Sequence, residues 1–170
     1  MERKKKVLSE QEAYIRLSAL CATAEYCRAD MKRKMDNWEL PENAEEHVLA
    51  RLMQEKYIDE ARYARAFVRD KFRYNHWGMA RIERELRMKG IDSCLIEDAK
   101  TEIEDEEYMA ALRKIIETKR KTTKGKSEYE IKTKLMRFAL SRGFDMGSIM
   151  KVIDCDCETA DFDSEEEMNT

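Results

Sequence analysis

The sequence predicts an all-α protein of three tandem three-helix repeats that form an elongated, curved array. Only one Pro and five Gly occur in 170 residues, too few for the many turns of an all-β protein. The apolar share of 42% is typical of a globular chain rather than a disordered one. Helix signals recur about every fifty residues, and a unit of that size is marginal alone, so neighbouring repeats are expected to stack.

The first predicted repeat, residues 1–58, begins with a capping-box pattern. Ser9 is placed to cap a helix N-terminus, and Glu12 is placed to bond back to the Ser9 backbone. Pro41 is predicted to open the third helix, because proline is tolerated at the first helical position. The three predicted helices span residues 10–26, 28–38 and 41–56.

The second predicted repeat, residues 59–104, is delimited by aspartates and glycines. Asp59 and Asp92 stand where helix N-caps are expected, and Gly78 and Gly90 stand where helices are expected to break. The resulting helices span residues 59–75, 79–89 and 92–103.

The third predicted repeat, residues 105–154, contains a polar loop between its first two helices. Residues 121–126 form this loop, and Ser127 opens a second capping box directly after it. Gly143 is predicted to end the middle helix, and Asp145 is predicted to cap a short last one.

Apolar positions recur in register across the three repeats and are predicted to lie in the core. Matched positions are 49 to 51 residues apart, which supports the division into repeats. The matched sets are Leu17, Phe67 and Ile116; Met31, Ile82 and Ile131; and Met35, Leu86 and Leu135.

The net charge of −3 hides an asymmetry between the body of the chain and an acidic tail. Residues 154–170 contain eight acids and no Lys or Arg, and without these acids 33 basic residues face 28 acidic ones, a net charge of +5. Residues 155–170 are predicted to be a flexible acidic tail. Such a tail is either a solubilising segment or one that folds over the basic body and lowers non-specific DNA binding.

Several functional classes find no support in the residues. No apolar run is long enough to span a membrane, and the basic start is not followed by the apolar segment of a secretory signal. The five Cys include no CxxC pair and only two His occur, which argues against a zinc site and favours a reducing cytoplasm. Glycine-rich phosphate loops are missing too, so no cofactor is predicted.

Candidates for catalysis are weak. His47 is predicted to be a surface helix residue and His76 a loop residue, neither paired with a nucleophile. The acids at residues 105–107 form a run that is typical of a solvated helix face. The chain is therefore predicted not to be an enzyme and to hold no metal, while an Asp/Glu metal site between repeats stays open as an alternative.

Basic clusters are the strongest functional signal. From Arg62 to Lys89 nine Lys or Arg face three acids, and helical spacing aligns four of these arginines in one stripe. Such stripes can follow phosphates, and Tyr74 and Trp77 could stack on unpaired bases, although a core role is favoured for Trp77. The candidate residues for binding nucleic acid or a nucleoprotein filament are Arg62, Arg65, Arg69, Arg73, Arg81, Arg84, Arg87, Lys119, Lys121, Lys124 and Lys126.

The same clusters are also explained as ordinary helix surface that nearby Glu residues neutralise. On that interpretation the chain is a helical protein–protein adaptor without nucleic-acid binding. Binding of single-stranded DNA that weakens with salt would distinguish the two.

Three segments carry motifs of a known family. Residues 57–71, YIDEARYARAFVRDK, are similar to G-Y-[LI]-[ND]-[DE]-x-[RK]-[FY]-A-x-x-[FY]-V, with Lys56 in place of the glycine. Residues 78–91, GMARIERELRMKGI, are similar to G-x-x-[RK]-[IL]-x-x-[ED]-L-x-x-[KR]-G-[IV]. Residues 134–144, KLMRFALSRGF, are similar to K-x-x-x-[FY]-L-x-R-[GR]-[FY], with a departure in spacing at Ala139-Leu140. Together they resemble the RecX family, bacterial regulators of the RecA recombinase.

The resemblance covers about residues 10–153 and implies a regulator without catalytic residues. RecX-like proteins have three tandem three-helix repeats in a curved shape. They bind the RecA–single-stranded DNA filament, in its groove or at its end, and restrain filament growth, strand exchange and ATP hydrolysis in DNA repair and the SOS response. The implied partners are the RecA nucleoprotein filament, single-stranded DNA and, weakly, duplex DNA. The protein is expected to be a cytoplasmic monomer without membrane contact.

Overall fold

Helices dominate the protein. The structure, a computed structural model, describes residues 6–160, and it describes the surroundings of the side chains over residues 7–154. Within residues 6–160 the chain forms nine α-helices and one parallel pair of two-residue strands, which confirms the all-α prediction. The strands are β1 (Lys6–Val7) and β2 (Trp38–Glu39), and the helices are α1 (Glu10–Cys21), α2 (Arg28–Met35), α3 (Ala44–Gln54), α4 (Glu60–Arg73), α5 (Met79–Met88), α6 (Ser93–Lys100), α7 (Asp105–Arg120), α8 (Glu128–Arg142) and α9 (Met146–Ala160).

Several helices begin at the capping residues that the sequence predicts. The Ser9 hydroxyl accepts a hydrogen bond from the Glu12 backbone at 3.3 Å, and the Glu12 carboxylate accepts one from the Ser9 backbone at 2.9 Å. Asp59, Asp92 and Asp145 each accept a bond from a backbone N–H two or three residues further on, at 2.8–3.0 Å. These bonds satisfy N–H groups that have no partner inside the helix.

The first sixty residues depart from the prediction in three places. Helix α1 ends at Cys21, about five residues earlier than predicted. Trp38–Glu39 pairs with β1 instead of ending a helix. Pro41 precedes α3 rather than opening it: the Ala44 N–H bonds to the Pro41 carbonyl at 3.1 Å, and Asn43, with φ 59°, is the N-cap.

The chain divides into two compact units. We call Met1–Phe67 with Glu85–Lys100 the first unit, and Val68–Arg84 with Thr101–Thr170 the second unit. Helices α4 and α5 contribute residues to both. The repeat boundaries predicted above stay predictions, and the predicted acidic tail, 155–170, lies outside the described side chains.

The core of the first unit comes from one face each of α1, α2 and α3. Leu17, Met31, Met35, Leu49 and Leu52 are each at most 2% exposed. Burial of side chains of this size supplies about 1.5–3 kcal/mol each, which makes this cluster the main source of the unit's stability.

The core of the second unit is built around a chain of aromatic rings. The Tyr108 ring lies 5.9 Å from the ring of Phe72 and 5.2 Å from that of Phe144. Leu112 and Leu135 are at most 1% exposed beside it. These contacts join the end of α4 to α7 and to the segment that precedes α9.

The predicted register of core positions is largely confirmed. Seven of the nine matched positions are at most 2% exposed. Phe67 and Ile131, the other two, are half-buried.

Candidate binding surface

The four arginines of α4 are each paired with a carboxylate. In the first unit Arg62 and Arg65 lie 2.6 Å from their partner oxygens. In the second unit Arg69 and Arg73 lie 3.1 Å and 2.8 Å from theirs. The partners are, in order, Glu25, Asp98, Glu102 and Glu107.

These ion pairs neutralise much of the charge that the sequence pattern suggested for α4. The arginine side chains are 45–48% exposed, and pairs in contact with water contribute little net stability. The hydrogen bond from Arg73 lowers the pKa of the Glu107 carboxyl, which keeps this pair ionised. A phosphate that arrives at α4 would therefore have to replace carboxylates rather than meet unpaired cations.

The three arginines of α5 have surroundings that differ from one to the next. The Arg81 guanidinium lies 4.0 Å from the centre of the Trp77 ring, and its buried Nε has no hydrogen-bond partner among the described residues. Arg84, also in the second unit, and Arg87, in the first, are exposed. The half-buried Trp77 ring also has the Lys71 ammonium at 5.3 Å, so two cations lie beside it.

The third candidate cluster is the lysine loop, which we define as residues 119–126. Lys121, Lys124 and Lys126 are exposed, and their side chains make no hydrogen bond or ion pair with any residue that the structure describes. The Lys119 ammonium lies 5.2 Å from the centre of the Phe138 ring. The exposed ammonium groups of Lys121, Lys124 and Lys126 are therefore well placed to meet an anionic partner.

Hydrogen bonds between side chains and its backbone hold the lysine loop in place. They do not use the ammonium groups of Lys121, Lys124 and Lys126. The Thr123 hydroxyl donates to the Lys119 carbonyl at 2.8 Å, and the Lys134 ammonium donates to the Lys124 carbonyl at 2.7 Å. The Glu130 carboxylate accepts from the Lys126 backbone at 2.8 Å. Three lysine side chains thus project from an ordered segment, which lowers the entropy cost of binding.

Two exposed aromatic rings accompany these cations. Tyr129 follows the lysine loop and is 82% exposed, and Tyr74, the residue after α4, is 80% exposed. An exposed ring of this kind offers a face on which an unpaired base can stack. The sequence pointed to Tyr74 but not to Tyr129, because a tyrosine inside a helical pattern gives no sign of which way it points.

An open groove lies along α7 in the second unit. We call it the α7 groove; its volume is about 690 Å³, and its lining includes Phe72, Ala110, Ala111, Ile115 and Phe138. Arg73, Lys114, Lys119 and Arg142 supply basic groups along its walls. Of these four cations, Lys114 and Arg142 were not among the residues that the sequence singled out.

A half-buried ion pair in the first unit has a structural role. The Lys89 ammonium lies 2.5 Å from one oxygen of Asp30, and the Cys27 thiol donates to the other at 3.2 Å. Burial raises the pKa of the Cys27 thiol, so it stays protonated and is a poor nucleophile. The described side chains contain no cluster of three or more potential ligands arranged for a metal ion.

The hydropathy of the described helices gives no sign of a membrane span. Among the described residues, no helix combines the length and the apolar composition that crossing a bilayer requires.

Comparison with protein families gives two matches. A family model described as the second three-helix domain of RecX matches residues 59–99, and one described as its third three-helix domain matches residues 105–153. Together they cover more than half of the chain.

Known proteins give the same result. The chain is 30% identical to the regulatory protein RecX of Streptomyces lividans over 148 residues, which is 85% of this chain and 76% of that one. It is 30% identical to the RecX protein of Oceanobacillus iheyensis over 81% of this chain but only 52% of the relative, so it spans about half of that longer protein.

Two solved structures share the fold. A crystal structure of regulatory protein RecX superposes with a TM-score of 0.77 at 24% identity, over 86% of this chain and 73% of that one. The structure of RecX from Lactobacillus salivarius gives a TM-score of 0.73 at 20% identity, over 85% of this chain and 94% of that one. At these identities the likeness establishes the architecture of three-helix domains.

Proposed function

The chain belongs to the RecX family of regulatory proteins, and from this premise we propose that it is a non-enzymatic regulator of the RecA recombinase. It binds the filament that RecA forms on single-stranded DNA, in its groove or at its end. There it restrains filament extension, strand exchange and ATP hydrolysis in cytoplasmic DNA repair. The single observation that carries the proposal is the match of two RecX domains over residues 59–99 and 105–153.

The lysine loop is the part of the proposed interface that contacts phosphate groups first. Lys121, Lys124 and Lys126 need to give up no existing partner to do so. Each phosphate that a lysine neutralises releases condensed counterions, so binding weakens as salt rises. The exposed ring of Tyr129 lies next to the loop in sequence and offers a stacking surface for an unpaired base.

The arginines of α4 and α5 form the second part of the proposed interface. Arginine binds carboxylate and phosphate with the same two-pronged geometry, so Arg62, Arg65, Arg69 and Arg73 can exchange one for the other. Their present partners are carboxylates that are 26–52% exposed, so the exchange takes place in contact with water, where such ion pairs contribute little net stability. Arg81, Arg84 and Arg87 extend the set along α5.

A second candidate function is a helical adaptor that binds protein only. The observation in its favour is the pairing of all four α4 arginines with carboxylates. On that alternative, affinity for single-stranded DNA would be weak and would not depend on the lysine loop.

The decisive experiment measures RecA activity with and without this protein. We expect substoichiometric amounts of the full chain to slow DNA-dependent ATP hydrolysis and strand exchange by RecA. The variant with Lys121→Glu, Lys124→Glu and Lys126→Glu should need about tenfold more protein for half inhibition, because it loses phosphate contacts. Its affinity for single-stranded DNA should fall less steeply with salt, by about two units in the logarithmic slope.

A matched control carries the same change of charge elsewhere on the second unit. Arg113, Arg137 and Lys151 are all exposed and lie outside the lysine loop. Their triple replacement by Glu should leave half inhibition within about twofold of the parent. RecA reactions that run at the same speed with and without the unaltered chain would refute the proposed function; equal losses in both triple variants would refute the role of the loop.

A further inference from the structure

We propose that the α7 groove binds residues 161–170 of the chain's own acidic tail. The groove is an open, mainly apolar trough of about 690 Å³ in the second unit. Its floor combines the small side chains of Ala110 and Ala111 with the larger ones of Ile115 and Phe138. A floor of this kind receives one or two large apolar side chains of a short peptide.

The walls of the groove select an acidic occupant. Lys114 and Lys119 come from α7, and Arg142 comes from the end of α8. The cationic groups of Lys119 and Arg142 lie 5.2 Å and 5.4 Å from the Phe138 ring, which keeps both beside the floor. Arg73 is already neutralised by Glu107, so three cations remain to attract carboxylates.

The acidic tail supplies the complementary chemistry. Residues 161–170 contain five acids and no Lys or Arg, and they include two large apolar residues, Phe162 and Met168. Carboxylates beside the walls and an apolar side chain on the floor would satisfy both features of the groove. Nucleic acid fits less well, because the cations beside the Phe138 ring leave less of its face for a base to stack on.

The tail is long enough to lie along the whole groove. Helix α9 packs against both α7 and α8 and ends at Ala160. Ten further residues can extend about 33 Å. Helix α7 has 16 residues and is about 24 Å long, so the tail exceeds the length of the groove's main wall. Because both belong to one chain, the local concentration of the tail is in the millimolar range, which makes even a weak contact effective.

Occupation of the groove gives the protein a self-regulating surface. Lys119 belongs both to the groove and to the lysine loop, so a docked tail places carboxylates beside the cations that we assign to phosphate binding. The tail then competes with single-stranded DNA. This consequence rests on the proposed function, whereas the docking itself does not.

Docking is tested with a fluorescein-labelled synthetic peptide of residues 161–170 and the full chain. The variant with Phe162→Ser and Met168→Ser keeps every charge but loses the apolar residues of its own tail. We expect the peptide to bind this variant about fivefold more tightly than the unaltered chain, because the resident tail no longer competes as well. Equal affinity for the two full chains would overturn the proposal.

Two further changes in that variant locate the peptide. Lys114→Glu should weaken peptide binding about tenfold, whereas Arg113→Glu, the neighbouring residue on another face of α7, should change it less than about twofold. Equal weakening by both would overturn the proposal, since only non-specific attraction would remain. Circular dichroism of each variant checks that the helices are retained.

A DNA-binding measurement then tests regulation separately. The Phe162→Ser, Met168→Ser chain should bind single-stranded DNA about threefold more tightly than the unaltered chain at the same net charge. Peptide binding in the groove without any change in DNA affinity would overturn the regulatory role and leave docking intact. Neither measurement contains RecA, so failure here is distinct from failure of the proposed function.

Discussion

At the scale of single residues, two glycines fix a close contact in the second unit. The Gly78 N–H bonds to the Arg142 carbonyl at 2.8 Å, and the Ala80 N–H bonds to the Gly143 carbonyl at 3.1 Å. A Cβ on Gly78 would lie 2.2 Å from backbone atoms of Gly143 and Phe144. The sequence predicted both glycines as helix breaks, but nothing in it indicated that residues 65 positions apart touch.

The first prediction at this scale concerns Gly78→Ala. The added methyl group meets backbone that cannot move away cheaply, so we expect a cost of about 3 kcal/mol or more. Gly90→Ala is the comparison: its Cβ would have open space, and the cost of about 1 kcal/mol comes only from its φ of +77°. Thermal unfolding followed by circular dichroism should show the larger drop in midpoint for Gly78→Ala, and equal drops would contradict the contact.

At the scale of elements, the pairing of α4 explains what local patterns could and could not reveal. Arg65, Arg69 and Arg73 meet acids 33 or 34 residues further along the chain. Local spacing correctly places these arginines at helical intervals, but a partner so far away in sequence is set by packing. The sequence therefore predicted the cations of the candidate site and offered their neutralisation as an alternative, but it could not identify the acids that pair with them.

The boundaries of the elements also fall into two groups, those that local sequence reveals and those that depend on distant parts of the chain. Capping side chains act within three residues, so Ser9 and Asp59 were readable from the sequence. The β1–β2 pair joins two-residue strands 32 positions apart and has no alternating pattern to detect. Pro41 was misjudged because a proline that starts a turn and one that starts a helix look alike in sequence.

A prediction at the element scale tests whether α4 binds phosphate. Glu107→Gln removes the partner of Arg73, whereas Glu106→Gln makes the same change of charge at an exposed neighbour with no ion pair among the described residues. We expect Glu107→Gln to raise the affinity for single-stranded DNA about threefold more than Glu106→Gln does, because it frees an arginine for phosphate. Fluorescence anisotropy at low salt measures both.

The outcome separates the two explanations of the α4 arginines. If both glutamine variants bind DNA with the same affinity, the arginines serve the fold or a protein partner rather than phosphate. A smaller difference at high salt than at low salt is expected, since screening weakens exposed charges.

At the scale of the whole molecule, carboxyl groups in both units make the stability of the fold depend on pH. Among the described side chains, folding lowers the pKa of six carboxyl groups and raises that of one, Glu60, by burial. The pKa of Asp59 falls mainly because it accepts the Arg62 N–H, whereas desolvation of Asp30 is outweighed by its bonds to Lys89 and Cys27. The carboxyl groups with a lowered pKa are those of Asp30, Glu55, Asp59, Glu107, Glu130 and Asp145.

These shifts predict that acid destabilises the protein. A carboxyl group with a lowered pKa contributes stability that is complete above its unfolded value, about 3.9 for Asp and 4.3 for Glu, and that is lost as pH falls through the folded value. Glu60 acts in the opposite sense, but it is one group against six. The thermal midpoint should therefore be nearly constant from pH 7 to pH 6 and fall steeply below about pH 4.5.

Asp59→Asn should lower the midpoint at pH 7 by loss of the charged cap and should shrink the further drop on acidification, since one lowered pKa is then missing from the folded state. A midpoint that holds steady or rises between pH 6 and pH 3 would mean that burial, rather than these bonds, dominates the carboxyl groups of the fold.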